Sequence, residues 1–293
     1  MATPERDSIT GTPTTGHEWD GIKELNTPLP RWWLWTFYAT IVWAIAYSIA
    51  YPAWPLINTA TAGLLGYSSR ADVARDIADA RLAQGKWLER ISTSDLDQIA
   101  ADPELFAFAR AGGAASFRLY CVQCHGSGAA GARGYPNLND DDWLWGGTLE
   151  QIHKTLENGI RFTGDPDTRD SQMPAFADGI LTPAQISDVA EYVLKLGGQT
   201  NDAVAAARGE PLFAENCASC HGETGEGNRD LGAPRLSDPI WLLNGSKDAI
   251  VAQISNPRMG VMPAWKGRLD ENTIKQLAIY VHSLGGGEQP DAQ

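Results

Sequence analysis

The chain has 293 residues, and its 23 Lys plus Arg against 36 Asp plus Glu give a formal net charge of −13. With 43% hydrophobic and 20% charged residues it is neither a disordered tail nor an all-membrane protein. The acidic balance argues against nucleic acid as a partner and for a basic one, and only four Cys argue against a disulfide framework.

Residues 1–31 form an N-terminal segment ahead of the most apolar run of the chain. Trp32 to Tyr51 reads WWLWTFYATIVWAIAYSIAY, 20 residues without a charge. As a helix it spans about 30 Å, the thickness of a bilayer core. Trp32, Trp33 and Trp35 mark one end and Tyr47, Tyr51 and Trp54 the other, as at the two membrane interfaces. The length argues against a buried core helix. The distance from Met1 and the lack of a small-residue cleavage site argue against a signal peptide. Lys23 and Arg31 precede the span closely, whereas no Lys or Arg occurs between Pro52 and Ser69. This predicts a cytoplasmic N-terminus with the C-terminal bulk outside. A second apolar stretch, Ala53 to Tyr67, is interrupted by Pro55 and Gly63 and is read as interfacial. Residues 52–107 are expected to be a linker with short helices.

The rest of the chain repeats itself. Cys121-Val-Gln-Cys124-His125 and Cys217-Ala-Ser-Cys220-His221 lie 96 residues apart. QMPAF (Gln172 to Phe176) is matched by VMPAW (Val261 to Trp265), and LTPAQISDVAEYVLKLGG (Leu181 to Gly198) by LDENTIKQLAIYVHSLGG (Leu269 to Gly286). Ile186, Val189, Ala190, Val193 and Leu196 recur at helical spacing, as do Ile274, Leu277, Ala278, Val281 and Leu284. Thr182 is the expected N-cap and Gly197 the expected C-cap of the first of these helices. Two homologous domains follow, 108–198 and 203–287, with loops rich in Gly, Pro, Asn and Asp and few helices. The expected class is therefore mainly α: one N-terminal transmembrane helix and two tandem domains, which their Cys-x-x-Cys-His motifs, the attachment signature of c-type haem, mark as cytochrome c domains. Cores this thin call for a large apolar group to complete them.

Cys-x-x-Cys-His is the attachment signature of c-type haem. Two thiols three residues apart on one helical turn reach the two vinyl groups of a porphyrin edge, and the adjacent His turns beneath the iron. Cys121, Cys124, Cys217 and Cys220 are the expected thioether positions, and His125 and His221 the proximal ligands, for two covalently bound haem c groups. A Met opposite the His gives the raised potential of electron-transfer cytochromes. Met173 and Met262 hold equivalent Met-Pro positions and are the expected sixth ligands, each within its own repeat. Met259, with no counterpart in the first repeat, is the competitor. A zinc site or a thiol redox motif would use the same CxxC pairs, but neither needs the adjoining His or the paired Met-Pro.

Pro136 and Pro234 follow the two His by 11 and 13 residues. Their carbonyls are placed, as in cytochrome-like domains, to accept the imidazole proton and fix its tautomer. Trp143 and Trp241 correspond between repeats and suit either core packing or a haem edge or propionate; Arg161 and Arg235 are candidates for propionate pairing. His17, His153 and His282 have no repeat partner and are read as structural or solvated. Asp140, Asp141 and Asp142 are read as a solvated loop or part of a docking patch for a basic redox partner.

The pre-span run HEWDGIKELNTPLPRWWLW (His17 to Trp35), the single span and the two CxxCH domains together resemble the diheme subunit (subunit III, the CcoP/FixP family) of cbb3-type cytochrome c oxidase. The resemblance covers nearly the whole chain and implies a bacterial inner-membrane respiratory complex with periplasmic haem domains. It implies catalytic and monohaem subunits as partners, besides the lipid bilayer and a donor cytochrome c. It also implies that the Met ligands are exchanged, Met262 serving the His125 haem and Met173 the His221 haem. The expected role is that of a non-catalytic electron-transfer subunit: electrons enter from the donor and pass to the oxidase core, where oxygen is reduced elsewhere. The alternatives are an anchored diheme carrier of a periplasmic dehydrogenase and a gas-binding haem sensor.

Overall fold

The structure is a computed structural model that describes residues 5–289. Its contacts divide into two units, Met1–Leu82 and Ala83–Gln293.

In the first unit, β1 (Thr14–Trp19) and β2 (Ile22–Leu25) pair antiparallel. Asp20 and Gly21 turn between them with φ of 49° and 83°, the two positive angles of the tight turn that matches strand twist. The segment carries no clean apolar–polar alternation that would foretell the hairpin. Helix α1 (Arg31–Ala50) is the expected span to within one residue and is the one described helix long and apolar enough to cross a membrane. None of its residues is buried. Its Ser and Thr hydroxyls are satisfied within the helix: Thr36 donates to the Trp32 carbonyl (2.9 Å), Thr40 to Phe37 (2.7 Å) and Ser48 to Ala44 (2.8 Å). That is what an apolar solvent requires of polar side chains. The stretch Ala53 to Tyr67 is not helical and folds back on the end of α1. The Leu64 and Leu65 amides donate to the carbonyls of Ile49 (2.9 Å) and Ala50 (3.0 Å), which helix geometry leaves unpaired.

Helix α2 (Ser69–Thr93) is one continuous helix of 25 residues where short helices were expected. Its polar, weakly periodic sequence hides its length. In the second unit, Ile91 is fully buried and Trp87 stacks on Phe108 at 5.7 Å. Helix α3 (Leu96–Ala101) starts at an Asp95–Gln98 capping box, and α4 (Pro103–Tyr120) at Asp102, whose carboxylate accepts from the amides of Glu104 and Leu105. The remaining helices are α5 (Val122–His125), α6 (Leu149–Asn158), α7 (Pro183–Leu196), α8 (Ala203–Asn216), α9 (Ala218–His221), α10 (Lys247–Ser255) and α11 (Glu271–His282). Thr182 caps α7 with Gln185, and Gly197 ends it, as expected.

The packing does not follow the linear repeats 108–198 and 203–287. Helix α11, at the end of the second repeat, packs on α4 and α6 of the first, and α7 of the first packs on α8 and α10 of the second. One core gathers Phe117, Cys121, Ile152 and Leu156 with Ile274, Leu277 and Val281. The other gathers Ile186, Val189 and Val193 with Phe213, Cys217, Ile250 and Ile254. Equivalent glycines make the two helix crossings close. A Cβ on Gly113 would lie 2.1 Å from the Gln276 carbonyl oxygen, and one on Gly209 would lie 2.1 Å from that of Asp188. The two glycines are 96 residues apart and their partners 88, so the same contact is made twice with the final helices traded.

Candidate functional site

Each CxxCH forms a single turn that continues the helix before it. The Cys121 amide donates to the Phe117 carbonyl (2.9 Å) and His125 to Cys121 (2.9 Å); Cys217 donates to Phe213 (2.8 Å) and His221 to Cys217 (2.9 Å). Gly126 and Gly222 then leave the helix at φ of 79° and 80°, an angle that glycine adopts without strain. The following loop returns to lock the turn, with the Gly131 amide on the His125 carbonyl (2.9 Å) and Gly227 on His221 (2.8 Å). No disulfide joins any of the four Cys; Cys121 and Cys217 are buried and Cys124 and Cys220 exposed. Burial, helped by the neighbouring Cys, pushes the Cys121 and Cys217 thiols up to about 11.

His125 donates through Nδ1 to the Pro136 carbonyl (3.3 Å), and His221 through Nδ1 to Pro234 (3.0 Å). Both expected prolines therefore hold the imidazole proton on Nδ1 and leave the Nε2 lone pair available. Burial lowers the pKa of both His, against the opposing pull of the Pro carbonyl. Each imidazole is thus kept neutral, the form that ligates a metal.

Cys217, Cys220 and His221 line a mainly apolar cavity of roughly 230 Å³, together with Met173 from the first repeat. Met173 also packs against the core that contains Cys217. Met262 packs instead against the core that contains Cys121. It is held there by a two-way backbone pair with Ile160, at 2.9 and 3.0 Å. Gly159 makes room, because a Cβ there would lie 2.3 Å from the Met262 carbonyl oxygen. The expected site residues therefore fall in two sets, with Met262 on the core of Cys121 and Met173 on the cavity of His221. Met259, the expected competitor of Met262, lies in the other set and lines the His221 cavity. Two thiols, an imidazole with a free Nε2 and a thioether around apolar walls fit the needs of a c-type haem.

Arg161 and Arg235 both line the His221 cavity. Arg161 donates through Nε to the Ser171 carbonyl (2.7 Å) and through Nη1 to Gly260 (3.1 Å), and burial lowers its pKa. Arg235 lies 3.9 Å from Asp238. Trp241 lines the same cavity, whereas Trp143 spends its indole N–H on the Gly286 carbonyl at 2.6 Å and so has no donor left for a propionate. Asp140 accepts from Asn137 (2.8 Å), and burial and Asp238 raise the pKa of Asp142. Pro136 and Pro234 open on one further cleft, of roughly 250 Å³. The two His-bearing loops meet at its edge, where the Gly134 amide donates to the Leu242 carbonyl at 2.8 Å.

His153 sits between Glu157 (3.4 Å) and Glu271 (3.3 Å), joining α6 to α11, and His282 bonds the Glu288 carbonyl at 2.8 Å. His17 is exposed. Trp145 carries no signal in the repeat pattern. It is buried, with the guanidinium carbons of Arg161 and Arg169 at 5.7 and 5.6 Å from its ring centre. Repeat logic could not find it, because the matching position is Leu243.

A CxxCH turn, a His whose tautomer is fixed by a Pro carbonyl and a Met facing the same apolar space define a c-type cytochrome, here in tandem. Comparison with known families agrees. The N-terminal domain of cytochrome oxidase-cbb3, FixP, matches residues 11–58. "Cytochrome C oxidase, cbb3-type, subunit III" matches residues 109–193 and 204–281. The chain is 58% identical over 277 residues to the cbb3-type cytochrome c oxidase subunit CcoP of Cereibacter sphaeroides, covering 94% of this chain and 96% of that one. It is 57% identical over 286 residues to the corresponding subunit FixP of a Bradyrhizobium species (97% and 98%), and 53% identical over 282 residues to FixP of Rhizobium meliloti (96% and 97%). The chain belongs to the subunit III family of cbb3-type cytochrome c oxidases, and is a membrane-anchored electron-transfer subunit.

Proposed function

We propose that the chain carries two haem c groups, the first on Cys121, Cys124 and His125 with Met262, the second on Cys217, Cys220 and His221 with Met173. Bound haem supplies one-electron exchange at its iron. The protein would supply the rest: Cys side chains as covalent tethers, an imidazole with its tautomer fixed, a thioether and walls that exclude water. With an imidazole and a thioether of the chain both held for each haem, neither site would offer oxygen a place to bind, so the subunit would carry electrons rather than reduce oxygen. A donor cytochrome c gives electrons to this subunit, which passes them to the catalytic and monohaem subunits of the oxidase. The N-terminus lies in the cytoplasm and the CxxCH unit in the periplasm, with α1 keeping the carrier beside its acceptor.

The observation that best supports this reading is the common cleft on which Pro136 and Pro234 both open. It brings the two His-bearing loops together, as passage of an electron between two sites in one chain requires. Purification from membranes in mild detergent tests the proposal. Two covalent haems per chain are expected, with copper and high-spin haem co-purifying in partner subunits. Zinc without haem, or a dehydrogenase partner without copper, contradicts it.

A further inference from the structure

We propose that Met259 is a reserve axial ligand for the iron carried by His221, able to replace Met173 without opening the site. The inference rests on the reading of that cavity as a haem seat. Among the described residues two thioethers face this one cavity, Met173 and Met259, along with His221. They are in direct contact: the Met173 amide donates to the Met259 sulfur at 3.4 Å.

Met259 is not core filler. It is absent from the apolar core that contains Met173, Phe213 and Cys217, and is only half-buried while lining the cavity. Its backbone is held on both sides. Gln253 bonds Arg258 twice, donating to its carbonyl (3.0 Å) and accepting from its amide (3.1 Å). Arg161 donates to the Gly260 carbonyl at 3.1 Å. A segment without regular structure is thus pinned at residues 258 and 260, and the flexible side chain between them is presented to the cavity. Thioethers are soft and adaptable donors, and two neutral ones are interchangeable in charge. In the exchange one iron–sulfur bond breaks and another forms, with no proton and no electron moved, so it is independent of pH.

Among the described residues no second thioether packs against the core of Cys121, where Met262 is the one Met. The two sites therefore differ in a way that their matched Met-Pro motifs conceal.

The test uses the haem-loaded full chain and the variants Met173→Leu, Met259→Leu and the double variant. The near-infrared band of ferric His–Met haem and carbon monoxide binding to the ferrous form are read for each, with the His125 haem as internal reference. Met173→Leu is expected to keep the band at the His221 haem and refuse carbon monoxide. The double variant is expected to lose the band and bind carbon monoxide at that haem alone. If Met173→Leu binds carbon monoxide as fully as the double variant, the reserve role is overturned. If the double variant keeps the His–Met band at the His221 haem, the reading of the cavity itself is overturned. A further variant, Met173→Leu with Met259→His, is expected to give a low-spin bis-histidine spectrum; a five-coordinate spectrum again overturns the role. Should Leu at 173 prevent haem loading, Met173→Ala carries the same three comparisons.

Discussion

Ile160 and Met262 exchange backbone hydrogen bonds in both directions, at 2.9 and 3.0 Å, where the chain leaving the first CxxCH core passes the chain returning to it. This small antiparallel pair fixes where the Met262 sulfur sits. It also makes a clean prediction. Met262→Ala is expected to convert the His125 haem, and that haem only, to a five-coordinate form that binds carbon monoxide. Because among the described residues no second thioether packs on that core, the loss should be complete, unlike that in Met173→Leu. Carbon monoxide difference spectra of the reduced protein measure it.

Leu277 lies in the second repeat by sequence but is fully buried in the core that holds Cys121. Leu277→Ala should cost about 2–5 kcal/mol and loosen the His125 haem while sparing the His221 haem. Val189→Ala should do the reverse, although Val189 belongs to the first repeat. Thermal melts followed separately at the two haem signals check this; losses that follow the linear repeats would contradict the exchanged packing.

The glycine crossings make a third prediction. The atoms that a methyl group would strike are backbone carbonyls, which cannot swing away. Gly113→Ala and Gly209→Ala should therefore each destabilise by roughly 1–3 kcal/mol or more. This lowers the melting temperature by about 2–4 °C per kcal/mol for a unit of this size. Ala at Gly128, which has open space around it, is the control and should change little.

Glu191 is a buried carboxylate that accepts from Lys247 (2.7 Å) and from the Asp202 amide (2.8 Å). The Lys247 hydrogen bond first, then the Asp202 amide, hold its pKa below the ordinary value, and the same pair raises that of Lys247. A lowered carboxylate pKa contributes stability that is present above its unfolded value and is lost as pH falls through the folded one. The raised lysine contributes below its unfolded value and loses it as pH rises through the folded one. Glu191→Gln should therefore weaken the His221 core by roughly 1–3 kcal/mol near neutral pH and flatten its stability profile on the acid side. Denaturant unfolding as a function of pH measures it.

Much of the site can be read from the chain. The CxxCH turns, the Pro carbonyls at 136 and 234, the Met-Pro pairs and the capped final helices each depend on residues close in sequence. What spacing could not decide is which final helix serves which core. Gly113 meets Gln276 and Gly209 meets Asp188 through backbone atoms, and both helices bring the same apolar stripe, so either pairing satisfies the local pattern. The choice lies in long-range contacts such as Ile160 with Met262, and in Trp143 bonding Gly286, which leave no periodic trace. Spacing sets Met259 beside Met262 as its competitor; its contact with Met173, 86 residues away, leaves no trace in the sequence either.

The traded helices also order the birth of the protein. Met173 through Ser255 supply one core from a continuous stretch, which can condense as soon as it has been made. The core around Cys121 must wait for α11, which follows that whole stretch in the chain. A chain cut short before Met262 would have its first CxxCH in place but nothing to seal it, so the earliest haem attachment motif to emerge belongs to the last pocket to close.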